Sequence, residues 1–147
     1  MLAKEEIKEK VAGGWIRARM NFEIMATDQQ ATVSTLAEHV KKLKQAPDSE
    51  VLSEKFDQVI EVLPPPRDVK QAFSQIVEVE ILSKSIEAML LAVISFGPSS
   101  VEVLEPKELI VNYSTIQSVM NTAADLMHRF AAQGLGGIVI SSVKPPQ

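Results

Sequence analysis

Two arginines, Arg17 and Arg19, are the residues of this sequence best suited to chemistry with an anion. A planar guanidinium group donates two parallel hydrogen bonds, and this geometry matches carboxylates and phosphates. Both arginines alternate with apolar residues, so their side chains are expected on the same side of a strand. The spacing therefore predicts a site for a small anionic ligand.

A pair of glutamates, Glu78 and Glu80, shows the same spacing in a second predicted strand. If the two strands are neighbours, the glutamates meet the arginines as cross-strand pairs, each worth roughly 0.2–1 kcal/mol. Two interpretations stay open: Arg17, Arg19, Glu78 and Glu80 bind a ligand, or they neutralise one another. A third hypothesis adds Glu23 and makes the group an enzyme site that forms only between subunits.

The histidines and a glycine-rich segment give weaker signals. His39 lies off the apolar stripe of its predicted helix and is expected to be solvated. His128 follows Asp125 by three residues, but no further metal ligand lies nearby in the sequence. The glycines at 134–137 follow a helix and precede a strand, the reverse of a phosphate-binding loop. Without cysteine, thiolate chemistry is excluded, and neither a metal nor a cofactor is expected.

Composition sets the class of protein. The chain has 147 residues, of which 46% are hydrophobic and 23% charged, as in a globular domain, so we predict one domain over residues 1–147. A net charge of −4 makes a nucleic-acid partner unlikely on electrostatic grounds. The longest apolar run, residues 89–94, is far shorter than the ~20 residues that span a bilayer. The charged N-terminus lacks the apolar core of a signal peptide, so a cytoplasmic location without membrane contact is expected.

Hydrophobic periodicity predicts the elements that carry these side chains. Residues 15–24 alternate between apolar and polar types, which indicates a strand with one apolar face. Residues 68–96 allow one long helix, but the β-branched residues at 76–81 favour a strand, and Ser85 can cap a separate helix. The predicted order is a helix at 3–12, a strand at 15–24, a helix at 28–45, strands at 56–63 and 73–82, a helix at 85–96, a strand at 100–105, a helix from Ser114 to about 132, and a strand or an extended arm at 137–143.

The six central elements predict an α+β, ferredoxin-like βαββαβ sandwich, an antiparallel sheet with helices on one face. An N-terminal helix and a C-terminal helix-strand extension flank it. The uncovered face would carry four apolar side chains among its charges, and such a patch indicates a contact surface. We therefore predict a homo-oligomer, joined through this face or through the C-terminal strand. The predicted interface residues are Trp15, Ile76, Leu82 and Leu104.

Residues 90–109, LLAVISFGPSSVEVLEPKEL, resemble the end of the C-terminal extension domain of WYL-type transcriptional regulators. The resemblance lies in Phe96-Gly97-Pro98, the strand Val101-Glu102-Val103-Leu104, and Glu105-Pro106. It implies a ferredoxin-like fold and a role in ligand sensing within a transcription factor. The chain departs from the family because it has no Trp-Tyr-Leu signature and no helix-turn-helix ahead of the module. From the residues alone, we expect a non-catalytic, regulatory protein that binds a partner or a small ligand.

Overall fold

A computed structural model describes residues 2–134, and this part of the chain contains four helices and five strands. The elements are α1 (Lys4–Ala12), β1 (Ile16–Ala26), α2 (Gln29–Leu43), β2 (Ser49–Phe56), β3 (Ile60–Glu61), β4 (Phe73–Ser83), α3 (Ile86–Phe96), β5 (Ser100–Glu105) and α4 (Tyr113–Ala132). The strand predicted at 137–143 lies outside the described residues. The chain divides into two compact units, Met1–Leu109 and Ile110–Gln147, of which the first holds every strand of the described part.

The first unit is an α+β structure with an open antiparallel sheet, in the strand order β2-β4-β1-β5. The short β3 pairs with β4 outside this path. Helix α2 connects β1 to β2, and β4 lies between these two strands. Helix α3 connects β4 to β5, and β1 lies between them. The predicted α+β class is confirmed for this unit.

One face of the sheet carries the core, as the alternation in β1 predicts. Four alternate side chains of β1, from Ile16 to Phe22, are buried. They form one cluster with buried residues of α2, β4 and α3, so both helices pack on the same face. The cluster consists of Ile16, Ala18, Met20, Phe22, Leu36, Val40, Leu43, Val77, Val79, Ile81, Met89 and Ala92.

The predicted boundary between β4 and α3 is confirmed, and the single helix over 68–96 is wrong. The Ser85 hydroxyl accepts a hydrogen bond from the backbone N–H of Ala88 at 3.1 Å, the geometry of an N-cap. Gly97 ends the helix in the left-handed conformation with φ 58°, which glycine adopts without steric penalty.

The strand predicted at 56–63 has the wrong bounds, because the chain pairs earlier: only Phe56, the last residue of β2, and the two-residue β3 fall within that range. Asp48 turns the chain with φ 55° and accepts a hydrogen bond from Lys84 N at 2.8 Å, and β2 starts at Ser49. The register of β2 against β4 shifts between Val51 and Ser53, and β2 is exposed beyond that point. A bulged edge strand has no two-residue burial period, so its sequence lacks the signal of a strand.

Helix α4 starts one residue before the predicted Ser114, because Asn112 is its N-cap. The Asn112 Oδ1 atom accepts hydrogen bonds from Thr115 N at 3.0 Å and from Ser114 Oγ at 2.7 Å. Ser114, the predicted first residue, therefore lies in the first turn of the helix. Within residues 2–134, none of the helices combines the length and the apolar character that a bilayer crossing requires.

Candidate functional site

The face of the sheet opposite α2 and α3, which we call the open face, carries both arginines. The Cα partners of Arg17 are Leu82 on β4 and Glu105 on β5. Those of Arg19 are Glu80 on β4 and Glu102 on β5. Because β1 lies between β4 and β5, each arginine has acidic residues within reach on neighbouring strands.

Arg17 bridges two carboxylates. Its Nη2 and Nε atoms donate to Glu80 Oε2 at 2.6 and 3.2 Å, so one carboxylate oxygen receives both bonds. Its Nη1 atom donates to Glu105 Oε2 at 3.2 Å. These bonds engage all three guanidinium nitrogens of a side chain that is mostly buried.

Arg19 extends the same network along β1. Its Nη1 atom donates to Glu102 Oε2 at 3.1 Å, and its Nη2 atom donates to Glu80 Oε1 at 3.4 Å. Its Nε atom lies 3.7 Å from Glu78 Oε1, an ion pair too long for a hydrogen bond. We call these two arginines and four glutamates the charge ladder; it holds two more carboxylates than guanidinium groups.

The charge ladder keeps Arg17 protonated. The hydrogen bonding of Arg17 to the Glu80 carboxylate, in which Arg17 is the donor, raises the pKa of Arg17 above its ordinary value; burial opposes this shift, and the bond that Arg17 donates to Glu105 adds to it. A raised pKa in the folded state means that the protonated guanidinium group stabilises the fold. This stabilisation is complete at any pH below the ordinary pKa of arginine, and it is lost only as the pH rises through the raised pKa. The contribution of Arg17 is therefore constant through the neutral range.

The geometry leaves the arginines few donors for an anion. A bound phosphate or carboxylate would have to displace Glu80, Glu102 or Glu105 and would meet the excess negative charge of the ladder. Binding of a small anionic ligand by Arg17 and Arg19 stays a prediction. Across residues 2–134, no three His, Asp or Glu side chains form a group that could hold a metal ion.

The four predicted interface residues differ in exposure. Ile76 is exposed, Trp15 and Leu104 are half-buried, and Leu82 is fully buried. The Trp15 ring lies under the Lys10 ammonium group, whose Nζ atom is 4.0 Å from the ring centroid. Of the four, Ile76 therefore has the largest exposed fraction.

Two residues that the sequence argument missed lie on the open face near Ile76. Met25 and Ile60 are both opposite Ser74 in the strand register, and both are exposed. We call Met25, Ile60 and Ile76 the apolar end of the open face. A cavity of about 350 Å³ opens there and is lined by Ile60, Ile76 and four polar residues. Met25 lies beyond the predicted end of its strand, and β3 is too short to show a period, so neither was predicted.

A model of the MJ0538 family matches residues 17–144, which is most of the chain. The chain belongs to the MJ0538 family. The matched region includes the whole charge ladder and the apolar end. No curated protein matches the chain significantly. The match adds no link between residues 90–109 and the WYL-type regulators, so that resemblance stays a prediction.

In this member of the MJ0538 family, His39 joins α2 to the end of α3, and the prediction of a solvated side chain is wrong. The His39 Nε2 atom lies 2.8 Å from the backbone oxygen of Phe96, and since a carbonyl can only accept, Nε2 carries the hydrogen. The imidazole also meets Phe22 and Phe96 edge to face, with ring centroids 5.3 and 5.5 Å apart. A histidine off the apolar stripe gives no sequence signal for this contact.

Replacing His39 with alanine is expected to lower the free energy of unfolding by about 1–2 kcal/mol, because one hydrogen bond and two aromatic contacts are lost. Urea unfolding followed by circular dichroism measures this change. His128→Ala is the matched control, since His128 is exposed, and it should change stability by less than about 0.5 kcal/mol. Equal effects of the two substitutions would contradict the role given to His39.

Proposed function

We propose that this chain is a non-catalytic protein that works as a homo-oligomer and joins its copies through the apolar end of the open face. The observation that supports this most directly is the contrast within that face. The two arginines, the groups best suited to anion binding, are engaged by glutamates in the charge ladder, whereas Met25, Ile60 and Ile76 remain exposed, and Ile60 and Ile76 line a cavity. Apolar residues around a pocket are typical of the centre of a protein interface.

The proposal includes a ferredoxin-like topology for the first unit. In a split βαβ arrangement, one strand of each βαβ motif lies between the two strands of the other motif. The positions of β4 between β1 and β2, and of β1 between β4 and β5, support this assignment. Small sheets of this kind leave one face without helices, and a second copy is a suitable cover for the apolar part of it.

A twofold axis through the apolar end would bury the exposed apolar residues and keep the two charge ladders apart. The axis places Ile76 and Ile60 of one copy against the same residues of the other, as in any isologous contact. The two charge ladders then lie on opposite sides of the axis, so their excess negative charges stay apart and repulsion is small. Full overlap of two open faces would instead bring acidic groups together.

Sedimentation velocity tests the proposal with one matched pair of variants. Wild-type protein is expected to associate at micromolar concentration, and Ile76→Lys is expected to weaken association at least tenfold, because the contact would have to remove an ammonium group from water. Val33→Lys is the control. Val33 has a similar exposure, 41% against 37%, but lies on α2.

Two results would overturn the proposal. One is a wild-type chain that stays monomeric at high micromolar concentration, and the other is an Ile76→Lys variant that associates as well as Val33→Lys. Two further roles stay predictions: a ligand-sensing or nucleic-acid-associated component of a transcriptional regulator, and an enzyme with a site between subunits. Both would use the guanidinium groups of Arg17 and Arg19, which the glutamates already engage.

A further inference from the structure

The cavity of about 350 Å³ at the apolar end lies where the pairing along β4 is interrupted. β2 pairs with β4 up to Phe56, which lies opposite Val77, and β3 resumes the pairing with Ile60 opposite Ser74. Between these pairs, residues 57–59 carry one residue more than the part of β4 that they face, as in a β-bulge. The cavity lies at this irregularity and is lined by Asp57, Gln58, Ile60, Ser74, Gln75 and Ile76.

Gln75 brings a buried hydrogen-bond acceptor to the wall of this cavity. The residue is only 8% exposed, and its Nε2 atom donates a hydrogen bond to the backbone oxygen of Asp57 at 2.9 Å. This bond fixes the orientation of the amide, because a carbonyl oxygen can only accept. The Oε1 atom is also buried, and no donor among residues 2–134 reaches it. Since an unpaired buried acceptor is unfavourable, a ligand that donates a hydrogen bond to Oε1 would be stabilised.

Ser74 and Asp57 offer further acceptors to the cavity. Ser74 is 3% exposed, and its hydroxyl hydrogen is used in a bond to Glu23 Oε2 at 2.9 Å, so the lone pairs of Oγ remain. Within the described part of the chain, neither Asp57 nor Glu23 forms an ion pair. Lys55, the lysine nearest to Asp57 in the sequence, lies opposite Glu78 in the strand register. The cavity therefore favours a ligand with hydrogen-bond donors and a positive charge.

We propose that this cavity binds a small primary ammonium compound with a short hydrocarbon chain. The ammonium group donates to Gln75 Oε1 and pairs with the Asp57 carboxylate, while the hydrocarbon chain packs against Ile60 and Ile76. The terminal amide torsion of glutamine is broad, so a small rotation presents Oε1 to the ligand. The volume of about 350 Å³ is at the lower end for ligand pockets and fits a compound of this size. The lining residues belong to one copy, so this site does not require the homo-oligomer.

Nuclear magnetic resonance titration of the isotope-labelled protein with n-butylammonium chloride tests the site. The protein is held below its association range, because contact with a second copy would involve Ile60 and Ile76 as well. Amide signals of residues 57–60 and 74–76, including the side-chain amide of Gln75, should shift and reach saturation together. Two control compounds are n-butyrate, which reverses the charge, and n-butyltrimethylammonium, which keeps the charge but has no N–H donor. Both should bind at least about tenfold more weakly, because charge-assisted hydrogen bonds are lost.

Two matched pairs of variants locate the interaction. Asp57→Asn should weaken binding of n-butylammonium at least about tenfold, because the ion pair is lost. Asp68→Asn makes the same change at an exposed residue outside the cavity lining and should leave binding unchanged. Gln75→Leu removes the buried acceptor and should also weaken binding, whereas Gln58→Leu makes the same change at an exposed lining residue and should have a smaller effect. Circular dichroism checks that each variant is folded.

The possible results separate clearly. Saturable binding of n-butylammonium that both Asp57→Asn and Gln75→Leu weaken supports the proposal. The proposal is overturned if n-butylammonium causes no saturable shift, if n-butyltrimethylammonium binds equally well, or if a folded Gln75→Leu variant binds like the wild type. If Gln75→Leu does not fold, the comparison of the two cations on the wild type decides.

Sedimentation of the same protein keeps this proposal distinct from the proposed function. If ligand binding is absent while association remains sensitive to Ile76→Lys, the ammonium site fails and the proposed function stands. If a strictly monomeric chain binds n-butylammonium, the ammonium site stands and the proposed function fails.

Discussion

Replacing Leu82 with alanine is expected to lower the free energy of unfolding by about 2–5 kcal/mol, the range for a buried leucine. This residue lies on the open face, opposite Arg17, yet its exposed fraction is 0%. The substitution removes apolar surface from a closed environment and leaves a cavity. Ile76→Ala, on the same face of the same strand, should cost only about 1 kcal/mol because Ile76 is 37% exposed.

Urea unfolding of both alanine variants, monitored by circular dichroism and compared at equal protein concentration, measures the difference. The concentration must be held below the association range, since binding to a second copy would add to apparent stability. If Leu82→Ala costs no more than Ile76→Ala, then Leu82 is accessible in solution, and it would return to the set of interface residues.

The sequence predicted those helices and strands that have one side in the core and the other side in solvent. In β1, apolar and polar side chains alternate over its whole central part, so both the strand and its buried face follow from the pattern. In β2, the residues from Ser53 to Phe56 are exposed on both sides and the register shifts after Val51, so no pattern exists to detect. Periodicity predicts on which face Leu82 lies, but it contains no information on what covers that face.

In the candidate site too, some contacts follow from the sequence pattern and others do not. The pairing of Arg17 and Arg19 with Glu80 follows from two alternating strands placed side by side. The participation of Glu102 and Glu105 depends on the register between β1 and β5, which shifts between Arg17 and Ala18. Such a shift has no signature in a single sequence, because it depends on how two distant segments fit.

Glu80 is the carboxylate on which the charge ladder depends, and Glu80→Lys is expected to lower the free energy of unfolding by about 2–3 kcal/mol. Both arginines contact Glu80, and its side chain is only 18% exposed. Lysine would remove the shared acceptor and bring a third cation to a partly buried position. Loss of one partner from a fully buried pair costs about 3–5 kcal/mol, and partial solvent access reduces that value here.

Glu78→Lys is the matched control for this substitution, with the same change on the same strand and the same face. Its side chain is 46% exposed and meets one arginine at 3.7 Å, so the expected loss is below about 1 kcal/mol. Urea unfolding at low and high salt separates the two variants further, because screening should relieve the exposed repulsion at position 78 more than the partly buried one at position 80. Equal losses for both variants would mean that the arginines do not depend on Glu80, and the ladder would then leave them free to bind an anion.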